Sequence, residues 1–449
     1  MKDEKKIKVG FVSLGCSKNL VDTEVMLAKL VAAGYEITPE DIEADVIIVN
    51  TCAFIESAKD EAIENILDVA WLKEHRTLRA IIVTGCLAER YREQIFKELP
   101  EVDAVLGVGS YHHIAEAVES VLAGKKYSSF EDKNTSPLGG ERIVTTPEYT
   151  AYLKVAEGCD NRCTYCAIPL IRGRFRSRPI EELVAEAKEL EALGVKELNL
   201  IAQDTTRYGL DLYGEYRLTA LIRAICEATS IPWIRILYCY PDKITDELVE
   251  EIGTNDRVVK YIDLPIQHIS DRILSAMNRH GDASMIRSVV EKLRREIPDI
   301  CIRTTVIVGF PGETDADFEE LCEYISEAKF DRLGAFPYSR EEDTPAYDLE
   351  NQVDEQVKQD RYDILMREQL HIAEQKNEAL IGKRITVLCE AYDSAAEIYY
   401  GRSAHDAPDI DTKVYFKNAL GKKRIAPGTF VEVDIEEAID YDLVGRAAV

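Results

Sequence analysis

Glu157-Gly158-Cys159-Asp160-Asn161-Arg162-Cys163-Thr164-Tyr165-Cys166 is the stretch on which the reading of this chain turns. Three cysteines, Cys159, Cys163 and Cys166, fall within eight residues. Thiolate is the soft ligand that iron–sulfur clusters take, and a loop this short can bring three sulfurs to one cluster. A 4Fe–4S cubane held by three cysteines keeps one iron open for a further ligand. A zinc knuckle is the competing reading, but it wants a fourth ligand close by, and none of the seven histidines is near in sequence.

The apolar run at 151–156 leads into this loop, so the cysteines follow the C-terminal end of a predicted strand. Further strands are predicted at 197–202, 233–238, 260–264, 300–308 and 332–336, with helical patterns between them. At 180–193, for example, Ile180, Leu183, Val184, Ala187 and Leu190 share one helix face. Six strand–helix units over 149–379 imply a central partial (β/α) barrel, whose site is built at the C-terminal ends of its strands. Residues 1–124 alternate too, with strands predicted at 8–14, 45–50, 80–84 and 103–106, which implies an N-terminal parallel α/β sheet domain. Residues 125–148 have no apolar period and read as a linker. Over 380–449 helical periodicity stops, and short β-rich runs predict a small antiparallel β-barrel. The fold class is α/β.

Cys16, Cys52 and Cys86 form a second constellation. Each ends a predicted strand, in KVGFVSLGC, ADVIIVNTC and AIIVTGC. Parallel neighbours bring such ends to one sheet edge, where open α/β sheets bind ligands. Three independent buried thiols are the plainer alternative. Cys226, Cys239, Cys301, Cys322 and Cys389 have no such spacing and read as core or incidental residues. Eleven cysteines without an export signal argue against a disulfide framework. No run approaches the roughly 18 apolar residues of a membrane span, and the expected localisation is cytoplasmic.

With these residues identified, the chain resembles the methylthiotransferases of the radical S-adenosylmethionine (SAM) superfamily over nearly its whole length. The carrying motifs are SLGCSKNLVDTE (13–24), NTCAFIESAKDEAIE (50–64), EGCDNRCTYCAIPLIRGRFRSR (157–178), LIAQDTTRYGLDLYG (200–214), YIDLPIQHISDRIL (261–274) and RTTVIVGFPGETDADF (303–318). Cys-Ser-Lys-Asn at 16–19, Cys-Ala-Phe-Ile at 52–55 and Gln-Asp-Thr at 203–205 resemble the RimO type, which modifies an aspartate of ribosomal protein S12. The resemblance implies two 4Fe–4S clusters, the auxiliary one held by Cys16, Cys52 and Cys86, and a TRAM domain as the C-terminal barrel. It implies that a methylthio group replaces a β-hydrogen of the aspartate. One SAM would donate the methyl group and a second would be cleaved reductively to the radical that takes the hydrogen, which requires an electron donor.

SAM contacts are expected at Gln203 and Asp204, which end the second barrel strand, and at Gly309 and Gly312, which follow the fifth. The looser fifth-strand motif of the superfamily has Gly and Glu where Thr305 and Gly312 stand, so Glu313 is not given that glutamate's role. Arg172, Arg174, Arg176 and Arg178 recur at every second position and read equally as a solvated loop or as groups facing a carboxylate substrate or SAM. His112-His113 reads as a solvated loop, and Gly421-Lys422-Lys423-Arg424 as a charged hairpin turn.

The formal net charge of −27 repels bare RNA at long range and favours a basic or small-molecule partner, although a local basic patch could still bind nucleic acid. The alternative activity is a transfer-RNA adenosine methylthiotransferase. Residues 380–449 hold nine Lys/Arg and twelve Asp/Glu, net −3, whereas an RNA-gripping barrel should be basic. A cluster carrier is disfavoured because such proteins usually close the coordination with a fourth cysteine. No membrane and no direct RNA substrate are expected. In Val431-Glu432-Val433-Asp434-Ile435-Glu436 the alternation places three carboxylates on one strand face, an acidic surface for docking the basic ribosomal protein.

Overall fold

The computed structural model describes residues 6–418 and 424–448, so most of the 421–424 turn lies outside the described residues. The N-terminal sheet comprises β1 (Lys8–Ser13), β2 (Glu36–Ile37), β3 (Val46–Thr51), β4 (Ala80–Gly85), β5 (Ala104–Leu106) and β6 (Tyr127–Ser129). It is parallel throughout, in the order β2-β1-β3-β4-β5-β6. Every residue of β3 and β4 is buried. Helices on both faces demand such continuous apolar strands. The edge strand β6 comes from residues that read as a linker. Downstream of it, Arg142 pairs with Glu24 at 2.9 Å and donates to the Tyr152 carbonyl at 2.7 Å, tying the connection to the first helix, Ser17–Ala32.

The core sheet begins with β7 (Thr150–Lys154), followed by a small antiparallel pair, β8 (Ala156–Glu157) and β9 (Arg176–Ser177). It continues through β10 (Glu197–Ile201), β11 (Trp233–Ile236), β12 (Val258–Asp263), β13 (Cys301–Val308) and β14 (Arg332–Pro337). All six main strands are parallel, in the order β7-β10-β11-β12-β13-β14. This is the open (β/α) barrel that the alternation implied, with strand ends within a few residues of those predicted. The last domain comprises β15 (Arg384–Asp393), β16 (Ile398–Ser403), β17 (Val414–Lys417), β18 (Phe430–Ile439) and β19 (Asp442–Ala447), closed as β15-β16-β17-β19-β18. Its pairs are antiparallel except β17 with β19.

The C-terminal domain is wedged into the core sheet rather than hung from it. Leu198, Leu200, Ile234, Ile236 and Ile302 pack with the helical layer, while Tyr152, Trp233, Tyr261 and Cys301 pack with Leu388, Ala407 and Phe430 of the C-terminal domain. The segment after β16 supplies Asp406 to Arg332 at 2.6 Å and Asp411 to the Tyr261 hydroxyl at 2.6 Å. Glu197 of β10 is fully buried between Arg235 and Arg402, at 3.0 and 2.6 Å. Burial works to raise its pKa, but the two guanidiniums hold it down at about 2.

A carboxylate is costly to bury, but removing this one leaves Arg235 buried without an ion pair among the described residues. Glu197→Ala should therefore destabilise the fold by about 3–5 kcal/mol, read from denaturant midpoints. Because the folded pKa lies below the unfolded value, this contribution is present above about pH 4.3 and is lost as pH falls toward 2. The variant should show a weaker loss of stability across that window than the parent.

Candidate metal centres

The N-terminal sheet brings its three cysteines to one edge by register. Thr51 pairs with Gly85 across β3 and β4, so Cys52 and Cys86 leave the sheet side by side. Ser13 pairs with Asn50, and Cys16 follows three residues on as the N-cap of the first helix. The approach is tight. Gly15 has φ +87°, and a Cβ there would sit 2.8 Å from the Cys52 Cβ and 3.1 Å from its Sγ, a place only glycine can occupy. Asn19, one turn into the helix, knits the edge together. Its Nδ2 donates to the carbonyls of Leu14 and Thr51, both at 2.9 Å, and its Oδ1 lies 4.0 Å from the Cys86 thiol.

Charge separates the three thiols. Burial works to raise the Cys16 pKa, but Lys18 and Arg172 outweigh it and hold the thiol below its ordinary value. Cys16 is nonetheless solvent-accessible, the combination expected of a cleft wall. Burial pushes Cys52 up, and pushes Cys86 to about 12 against the pull of Arg172. Cys16 and Cys52 are near enough to Cys86 to oppose its ionisation further.

The second triad lies in the loop between β8 and the short helix Ile168–Arg172. Gly158 has φ +80°, and a Cβ there would meet the Arg174 carbonyl at 2.1 Å, so the loop can close only on glycine. Cys159 N–H donates to the Gly173 carbonyl at 3.1 Å, and Thr164 N–H to that of Met277 at 3.0 Å. Cys163 Sγ lies 3.5 Å from the Tyr240 hydroxyl, and the Arg279 guanidinium stacks 3.7 Å over the Tyr240 ring. Burial raises Cys159 to about 12 and raises Cys166 as well. Such thiols are protonated without a metal and must lose the proton to bind one.

Gln203 and Asp204 meet this loop. Gln203 Nε2 donates to Glu157 Oε1 at 2.6 Å, while its own buried Oε1 has no hydrogen-bond partner. Asp204 accepts from Asn161 Nδ2 at 2.8 Å and lies 3.5 Å from Lys243. Gly309 and Gly312 form a turn with positive φ at both. Gly309 N–H donates to the Glu313 carboxylate at 2.9 Å, and Glu313 also binds Arg361 at 2.8 Å, so Glu313 serves the turn. The neighbouring Phe310 packs in one cluster with Tyr165 of the cysteine loop.

The alternating arginines separate. Arg174 is exposed on Asp160, Arg176 bonds the Lys133 and Ser136 carbonyls, and Arg178 is buried against Glu186. Arg172 is buried between the triads. It reaches Cys86 Sγ at 3.5 Å, Asn19 Oδ1 at 2.5 Å, Asp22 at 2.5 Å and Glu157 at 3.3 Å. Lys154 completes the set, bonding Asp22 and, at 2.8 Å, Glu157. Burial opposes the charge on Glu157, yet Lys154 and Arg172 hold its carboxyl at about 2. The motifs carried Asn19, Asp22 and Glu157, but nothing in their spacing marked them as partners.

Among the other features, Cys239, Cys301 and Cys389 are buried and Cys226 and Cys322 half-buried in helices, all free thiols away from both triads. His112 and His113 pair with Glu131 at 3.0 and 2.8 Å at the surface.

Two parallel sheets, each ending in a cysteine triad, and a small closed barrel define a radical SAM enzyme with an additional N-terminal domain. The Radical SAM superfamily model matches residues 153–325, that of Uncharacterized protein family UPF0004 matches 8–107, and that of the TRAM domain matches 381–448. The fold is shared with the radical SAM methyltransferase TsrM of Kitasatospora setae, at TM-score 0.56 and 14% identity over 76% of this chain and 77% of that one. The chain is 49% identical to ribosomal protein uS12 methylthiotransferase RimO of Desulforamulus reducens over 98% of this chain and 99% of the relative. It is 50% identical to that of Geotalea uraniireducens over 98% of each. The chain belongs to the RimO family of ribosomal protein uS12 methylthiotransferases.

The thiol order is directly measurable. Thiolate is the reactive form, and a lowered pKa enlarges its fraction at neutral pH. In metal-free protein at pH 7–8, iodoacetamide should alkylate Cys16 first and leave Cys86 nearly untouched, as mapped by peptide mass spectrometry. Equal rates at Cys16 and Cys86 would contradict the electrostatics described.

Proposed function

We propose that this enzyme transfers a methylthio group to the β-carbon of an aspartate in ribosomal protein uS12, using two 4Fe–4S clusters. Cys159, Cys163 and Cys166 hold the cluster that binds SAM, and Cys16, Cys52 and Cys86 hold the auxiliary cluster. The observation that carries this reading is Arg172. One guanidinium touches a cysteine of the N-terminal triad and the glutamate that opens the loop of the other, so both triads serve one cleft.

The donor sets fit. Each is three cysteines at the rim of a parallel sheet with no fourth thiol beside them, which suits a cubane with one open iron. Bound there, the SAM-binding cluster and SAM would supply, with an electron from a donor, the radical that takes hydrogen from an unactivated C–H bond, and the open iron of the auxiliary cluster would carry the incoming sulfur. The protein's part is to orient and enclose. Gln203 offers its free Oε1, and Asp204, fixed by Asn161 and Lys243, offers a carboxylate edge to SAM. Gly309 and Gly312 let backbone come close to the cofactor at the end of β13. Arg172, Asp22, Lys154 and Glu157 hold the two loops in register, as positioned reactants require.

The partner is the basic protein uS12, with an electron donor of unspecified kind, and the compartment is the cytoplasm. Among the described residues no helix is long and apolar enough to cross a membrane. The chain's −27 charge supports attraction to a basic partner. On the acidic strand Val431, Val433 and Ile435 point inward, but two of the three outward carboxylates are answered by arginines, and Glu432 accepts from the Thr386 hydroxyl at 2.6 Å. Asp434 binds Arg384 at 2.7 Å and Glu436 binds Arg446 at 3.1 Å. Docking by this face therefore draws on Glu432 and on the field of the whole chain.

Anaerobically reconstituted enzyme should hold roughly eight irons. Replacing Cys159, Cys163 and Cys166 with Ala should leave about half of the iron and abolish reductive cleavage of SAM. Replacing Cys16, Cys52 and Cys86 should also leave about half, but spare cleavage while ending methylthio transfer. Full iron content in the second variant would remove the auxiliary-cluster assignment.

A further inference from the structure

Lys18 lies in the helix that begins at Cys16, two residues beyond that cysteine, and is only 6% exposed. A buried ammonium ordinarily has a carboxylate or several carbonyls around it. Lys18 has neither: among the described residues its Nζ makes no ion pair with a carboxylate, and only Tyr238 and the Cys16 thiol support its charge against burial, in contrast to Lys154, which binds Asp22 and Glu157. What it faces is the ring of Tyr238, with Nζ 3.2 Å from the ring centroid. The neighbouring Ser17 hydroxyl is buried and unpartnered as well.

Tyr238 is held for this contact at some cost. It follows β11 with φ +62°, a left-handed conformation unusual for a bulky residue. Asp263 fixes it there by accepting its backbone N–H at 2.9 Å, and Arg303 holds the other Asp263 oxygen at 2.8 Å. The C-terminal end of a barrel strand is where such enzymes meet substrate. Lys18 thus projects from the N-terminal domain onto the substrate end of the core, beside the solvent-accessible Cys16. An aromatic face steadies an ammonium but leaves its N–H donors free for an anion.

We propose that Lys18 is the specificity-determining residue that binds the side-chain carboxylate of the substrate aspartate, with Tyr238 holding the ammonium in place. This rests on the aspartate methylthiotransferase reading above. A carboxylate on Lys18 would fix the adjacent β-carbon beside Cys16, and would distinguish aspartate from its neutral amide by charge.

The test uses reconstituted holoenzyme and two peptides of the uS12 loop, identical but for Asp or Asn at the modified position. Wild type should bind and modify the Asp peptide in strong preference to the Asn peptide. In Lys18→Gln, kcat/KM for the Asp peptide should fall by about 30-fold or more, while that for the Asn peptide changes little, so the preference collapses. The same collapse should appear in peptide affinity measured without turnover, and Lys18→Arg should restore part of the preference. Iron content and the spectrum of the reduced auxiliary cluster are read in parallel. An unchanged Asp-over-Asn ratio in Lys18→Gln overturns the proposal. So does loss of auxiliary-cluster iron in that variant, which would make Lys18 a support for the cluster. Wild-type enzyme that modifies neither peptide nor intact uS12 would instead refute the underlying functional reading.

Discussion

Two carboxylates and two cations, Asp22, Glu157, Lys154 and Arg172, meet in the interior where the first helix of the N-terminal domain crosses the first strand of the core. Their charges cancel, and each is bonded to at least one opposite partner. A buried set of this kind adds little stability over an apolar core of the same volume. Its effect here is geometric. Removing any one member leaves one buried charge in excess, so the two domains have one favourable relative placement rather than a range of them.

Everything at the site depends on that placement. Arg172 ends the short helix that follows the Cys159–Cys163–Cys166 loop, and it extends to Cys86. Glu157 opens the same loop and receives Gln203 from the next strand. The core loop, the end of β10 and the N-terminal cysteine edge are thereby fixed through a few side chains. The C-terminal domain supports the arrangement from elsewhere, through Glu197 with Arg402 and Asp406 with Arg332. Lys18, over Tyr238, makes no ion pair with a carboxylate among the described residues, in contrast with Lys154, which makes two.

Most of the architecture was legible because the sequence obeys simple periods. Runs such as VIIVNT and AIIVTG cannot be amphipathic helices of useful length, and as fully buried strands they require a parallel sheet with two covered faces. The convergence of Cys16, Cys52 and Cys86 was legible because each follows a buried run and parallel strands bring their ends to one edge. What escaped was of two kinds. The edge strand β6 is three residues long and polar, so no period announces it. The partners of Arg172 come from positions 19, 22, 86 and 157, and contacts between residues so far apart in the chain leave no local trace. The alternation of Arg172, Arg174, Arg176 and Arg178 was visible, but their separation into one exposed, one carbonyl-bound and two buried residues depends on which elements pack over the loop. The same holds for the acidic strand: the inward and outward faces follow from its period, while the arginines that answer Asp434 and Glu436 lie on neighbouring strands.

In the proposed reading the two cysteine triads face one cleft and are held there by Arg172, which bridges Cys86 and Glu157. The most direct measurement is electron paramagnetic resonance of fully reduced holoenzyme, read for a magnetic interaction between the two proposed clusters. The account predicts spectra that differ from the sum of the two single-triad variants, because the paramagnets are close enough to couple, and it predicts that Arg172→Ala weakens this coupling at unchanged iron content. A holoenzyme spectrum equal to the sum of the two variants, with no sign of coupling, would contradict it.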